Sequence, residues 1–138
     1  MSRVRVDAGA CGFVTRISAS KEDGKRVRLE IQSDCEAVTE LGRVLEKRGG
    51  LTLWEVVAKG FPDNRVLDLG HQTLSHPGCP VVVAVIKAAE VELGLNVPSR
   101  VTVEFEADAG CTSDAVDGSS VQDAKRKGTD DQRVPTRP

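Results

Sequence analysis

Tyrosine is absent from this chain, and three phenylalanines and one tryptophan are its only aromatic residues. Few platforms therefore exist on which nucleobases would stack. An excess of positive charge is missing as well. With 19 Lys and Arg against 21 Asp and Glu, the net charge is -2, which leaves no long-range field to draw in phosphate backbones. Nucleic acid is not an expected partner. Long apolar runs are also lacking: the longest, from Val81 to Ile86, breaks at Lys87, far short of the ~20 residues a bilayer-spanning helix needs. The opening MSRVRVDAGACGFV has no apolar stretch of the kind a secretory leader carries. The expectation is a cytoplasmic protein that does not engage a membrane.

Several chemical signatures are missing too. There is no internal repeat and no G-x-S-x-G elbow. Asp7-Ala8-Gly9-Ala10-Cys11-Gly12 has two glycines but neither the Lys nor the third Gly of a phosphate-binding loop. No C-x-x-C knuckle of the structural zinc type occurs. At 138 residues the chain has room for one domain with a modest core.

What is present is a set of cysteines in distinctive surroundings. Ala10-Cys11-Gly12, Ser33-Asp34-Cys35-Glu36 and His76-Pro77-Gly78-Cys79-Pro80 each fall where one secondary element hands over to the next. Cys35 and Cys79 would open helices, where backbone amides favour a thiolate. Disulfides are rare in the cytoplasm, so these are expected to be free thiols, ligands or reactive groups.

The coarse structure follows from periodicity. Arg3-Val4-Arg5-Val6 alternates as a half-buried strand, residues 13–20 resume the pattern with Phe13, Ile17 and Ala19 on one face, and Val27, Leu29 and Ile31 form a third alternating run. The N-terminal third reads as an antiparallel meander. Ser33 and Glu36 read as a capping box for a first helix carrying Val38, Leu41, Gly42 and Leu45, closed by Gly49-Gly50. A short second helix over residues 51–59 would turn Leu53, Trp54, Val56 and Val57 inward. Residues 63–78 read as irregular or as one short turn. A third helix from Cys79 or Pro80 to about Leu93, apolar on nearly every side at its start, should be the most buried. A last strand would carry Val101, Val103 and Phe105. The predicted fold is one α+β domain over residues 1–107, a mainly antiparallel four-stranded sheet in the order β-β-β-α-α-α-β with helices on one face. Residues 108–138, nearly devoid of apolar side chains and including Cys111, read as a disordered polar tail.

The meander carries a consequence for the thiols. The end of the first strand and the end of the third share one edge of the sheet, so Cys11 and Cys35 fall at the same end. Cys79 joins them if the last strand runs parallel to strands one and three. Three converging thiolates would make a soft-ligand site suited to zinc, copper(I) or an iron–sulfur cluster. His76 is then the natural fourth ligand, with His71 and Asp7 behind it, and Gly9, Gly12 and Gly78 would let backbone approach a cluster. The plain alternatives stay open. Cys35 and Cys79 also fit as small buried hydrophobes, His76 as a loop histidine bonded to backbone, Asp7 as a turn former and Trp54 as core.

These motifs together resemble a small, functionally uncharacterised domain family of anaerobic bacteria and archaea. The resemblance spans residues 3–107 and implies no particular activity. Three functions are carried forward. The first is a metal- or iron–sulfur-binding protein serving electron transfer, sulfur handling or metal delivery with a protein or redox partner, in which Cys11, Cys35, Cys79 and His76 are ligands. The second is a persulfide or redox protein with Cys79 as reactive thiol and His76 beside it, lacking a base-orienting third residue. The third is a non-catalytic interaction module. Enzymatic activity is the less supported reading.

Overall fold

The computed structural model describes residues 1–22, 25–60 and 63–106. The chain divides into a unit Met1–Val101 and a second unit Thr102–Pro138, of which residues 102–106 are described and carry no regular structure. The expected tail, with Cys111, lies outside the described residues.

Three strands, β1 (Ser2–Asp7), β2 (Val14–Lys21) and β3 (Arg26–Ser33), form the expected meander. Its register sets Val4 against Ile17, Ile17 against Ile31 and Ala19 against Leu29. Because side chains alternate across a strand, these residues line one face together with Val6 and Val27, while Arg3, Arg5, Arg16, Arg28 and Glu30 line the exposed face. All the helices whose packing builds the core lie on the apolar face, which makes the fold the expected α+β arrangement of a four-stranded antiparallel sheet.

The fourth strand is a correction. It is β4 (Leu51–Thr52), pairing with the start of β3, and residues 101–106 form no strand among the described residues. Alternation in Val101, Val103 and Phe105 reports a capacity to bury one face; it does not supply an edge to pair with.

Four helices follow: α1 (Glu36–Lys47), α2 (Leu53–Val57), α3 (Arg65–Thr73) and α4 (Pro80–Glu92). α1 buries Val38, Leu41, Gly42 and Leu45 against β3 as its spacing predicts. The capping box belongs elsewhere, however. Ser33 stays in β3, paired with Thr15, and α1 is capped at Cys35 without a side-chain bond. A complete box is found at α2, where the Thr52 hydroxyl accepts from Glu55 N–H and the Glu55 carboxylate accepts from Thr52 N–H at 2.8 Å. Trp54 is also corrected, being 78% exposed. In a helix of five residues only positions i, i+3 and i+4 share a face, so Val56 is buried and Leu53 half-buried while Trp54 is turned away.

α3 occupies a stretch expected to be irregular. Its N-cap Asn64 is buried: Oδ1 accepts from the amides of Val66 and Leu67, both at 3.1 Å, and Nδ2 donates to the carbonyls of Val56 and Ala58 at 3.0 and 2.9 Å. One side chain thereby ends α2 and starts α3. Gly70 lets α3 approach α4, because a Cβ there would stand 2.8 Å from Val82 Cγ2. α4 begins where expected, with Cys79 as N-cap and Pro80 in the first turn. It buries Val81, Val85, Ala88 and Ala89 while Val83 remains exposed.

Candidate functional site

The direction of α4 decides where Cys79 lies. At the helix's C-terminal end, the carbonyl of Ala88 accepts from the Ser2 hydroxyl at 3.2 Å, and the Glu92 carboxylate accepts from Lys21 N–H at 3.2 Å and pairs with the Met1 ammonium at 3.3 Å. These anchors are the first residues of β1 and the last of β2. A 13-residue helix rises about 20 Å along its axis, so its N-cap reaches the opposite end of the sheet, where β1 ends, β2 begins and β3 ends. Cys11 and Cys35 are at that end. The shared sheet end that the sequence made conditional on a last strand is reached through α4 instead.

Each thiol arrives differently. Cys11 is exposed at the tip of the β1–β2 hairpin, in a turn closed by Gly12 N–H donating to the Gly9 carbonyl at 2.8 Å, with both glycines at positive φ, 76° and 72°. Asp7 acts as the turn former of its plainer reading, its carboxylate accepting from Gly9 N–H at 3.1 Å. Cys35 is half-buried. Its amide donates to Ser33 Oγ at 3.2 Å, and that hydroxyl in turn accepts from the buried Thr15 Oγ1 at 2.9 Å. Thr15 and Ser33 thus fix the end of β3, and with it the Cys35 backbone, to β2. Sequence reasoning missed the pair, having read Ser33 as a helix cap instead. Cys79 is buried in the core.

Burial pushes the Cys79 thiol above its ordinary pKa; the Val81 amide opposes this, and the neighbouring Cys35 and Cys11 add smaller upward contributions. The expectation that a helix N-terminus would favour a thiolate at Cys79 is therefore outweighed, since desolvation acts directly on the charged form. That direction runs against Cys79 as a tuned nucleophile.

The other expected contributors are placed as follows. His76 is exposed in the segment leading into α4, and His71 lies in the last turn of α3. Gly9, Gly12 and Gly78 have no heavy atom within 4 Å of where a Cβ would stand, so the space beside their backbones is open. Among the described residues, no group of three or more His, Cys, Asp or Glu side chains stands ready to hold a metal ion. An open groove of about 380 Å³ lies at the same end of β2 and β3, lined by Val14, Arg16, Ile31, Gln32, Ser33, Asp34 and Thr39, with no cysteine in its wall.

A family model matches residues 2–105, nearly all of the described chain. The chain belongs to DUF6951, a family of unknown function. Within this DUF6951 domain lie all three thiols and the loops that carry them. No curated protein and no solved structure matches the chain. Among the described residues no helix is long and apolar enough to cross a membrane.

Proposed function

We propose that this DUF6951 protein is a small cytoplasmic metal- or iron–sulfur-binding protein whose ligands are Cys11, Cys35 and Cys79, with His76 as the fourth. One observation carries the reading: a hairpin tip and two helix N-caps, remote in sequence, bring their cysteines to one end of the sheet. Thiolates that repel one another become compatible once a cation lies between them, so metal binding would release protons and reverse the upward push on Cys79. The ligands would be brought to bonding distance by the hairpin tip, where two positive-φ glycines flank Cys11 and open space adjoins both. Soft sulfur donors without C-x-x-C spacing favour an iron–sulfur cluster, or zinc as the simpler occupant. The resemblance to a family of anaerobic organisms points the same way, toward an oxygen-sensitive centre that exchanges electrons, sulfur or metal with a protein partner.

The test is purification of the full chain without oxygen, followed by its visible spectrum and its iron, sulfide and zinc content, with and without reconstitution. Replacement of Cys11, Cys35 and Cys79 by Ser should abolish metal and colour. Colourless, metal-free protein after reconstitution would refute the proposal, and loss of metal on replacing Cys111 alone would show that a different sulfur completes the site.

A further inference from the structure

We infer that residues 101–106 form an exchange arm that adds as a fifth strand to the free edge of β1 in a second copy of this chain. The edge is available: among the described residues the sheet order is β1-β2-β3-β4, so β1 is paired there on one side only, and its six residues contain neither Pro nor a bulge to blunt the other side. The arm is the same length and carries a strand pattern. Val101, Val103 and Phe105 alternate with Thr102, Glu104 and Glu106, and the three apolar side chains are 57%, 84% and 101% exposed.

The two segments match on both faces. β1 turns Val4 and Val6 toward the helices and Arg3 and Arg5 toward the open face of the sheet. Side-chain alternation means that seating Val101, Val103 and Phe105 in line with Val4 and Val6 sets Glu104 and Glu106 beside Arg3 and Arg5. Among the described residues neither arginine pairs with a carboxylate, while Arg5 lies directly across from Arg16, another cation. Like charges so placed repel, and two glutamates on the adjoining strand relieve that repulsion. A slip of one residue would put Val and Phe in water and Glu over the apolar layer, so the register is specified. Reciprocal exchange gives a closed two-fold dimer, with main-chain bonds supplying affinity and the two faces supplying specificity. This inference is independent of the thiol site.

Sedimentation equilibrium of the full chain, from about 1 to about 100 µM, is expected to show a monomer–dimer equilibrium. Val103→Asp should weaken it about tenfold at each of the two arms, about a hundredfold together, without moving the unfolding midpoint of the dilute monomer. Arg3→Glu with Arg5→Glu should also dissociate the dimer, and adding Glu104→Arg with Glu106→Arg should restore it. Amide exchange at residues 101–106 should slow as concentration rises. A monomer throughout the range, a dimer indifferent to Val103→Asp, or arm protection independent of concentration, which would place the arm on its own β1, each overturns the inference.

Discussion

Gly49 and Gly50, consecutive in the turn between α1 and β4, offer a comparison in which one variant controls for the other. Both have left-handed backbones, with φ of 73° and 88°. An alanine in that conformation costs about 1–2 kcal/mol at either position. Their surroundings differ. A Cβ on Gly49 would meet nothing within 4 Å, whereas one on Gly50 would stand 2.3 Å from the Val27 carbonyl oxygen and 3.2 Å from Arg28 Cα. Val27 cannot yield cheaply, because it is fully buried and paired with the equally buried Leu51. Overpacking of this kind adds about 1–3 kcal/mol, so Gly49→Ala should cost about 1–2 and Gly50→Ala about 2–5 kcal/mol. The gain from stiffening the unfolded chain is common to both and cancels in the difference. Urea unfolding of the two variants and the parent, compared at a common m-value, measures it. Equal losses, or a larger loss at Gly49, would refute the close approach of this turn to β3.

Asn64→Ala removes a cap and leaves the Val56 and Ala58 carbonyls without their donor, for an expected loss of about 2–4 kcal/mol by urea unfolding. Trp54→Ala should change stability by less than about 0.5 kcal/mol, and Trp54 emission in the folded monomer should be that of a solvated indole. At Glu55, burial alone would raise the carboxyl, but Thr52 N–H, the Thr52 hydroxyl and Arg48 at 3.0 Å outweigh it and hold the pKa below the usual carboxylate range. The folded state therefore binds this proton less readily than the unfolded chain, so its contribution is full above about pH 4.3 and is lost as pH falls through the lowered folded value. Glu55→Gln should flatten that part of the stability profile. For Cys79, alkylation rate against pH should give a value above the ordinary one of about 8.5, brought down by Cys35→Ser.

The meander was legible because its strands have one wet face and one dry face, so period-two alternation through Val4, Ile17, Ala19, Val27 and Leu29 has a single reading. α1 was legible through its apolar stripe, though not through the Ser33 cap assigned to it, and α4 through its apolar run and Pro80. Other elements were decided by contacts that local pattern does not encode. α3 depends on Asn64 bonding back to the end of α2 and on Gly70 meeting Val82, both of them tertiary facts. β4 is two residues long, too short to show a period. Trp54 was misplaced because apolar character was taken for burial in a helix too short to have two apolar faces. Residues 101–106 carry a strand's pattern without a strand's partner. For the thiols, strand order alone placed Cys11 and Cys35 at one end of the sheet, whereas Cys79 required the direction of α4, fixed at its far end by Ser2, Lys21 and Glu92. Thr15 and Ser33 escaped notice because a buried hydroxyl pair looks in sequence like any polar interruption of a strand.

Whether Cys11, Cys35 and Cys79 act as one site is tested most directly by anaerobic titration of the full chain with cobalt(II), following the sulfur-to-metal charge-transfer absorption. The account predicts saturation at one equivalent with release of protons, and loss of the signal in each of Cys11→Ser, Cys35→Ser and Cys79→Ser but not in Cys111→Ser. No absorption, or a signal that survives any of the first three substitutions, would contradict it.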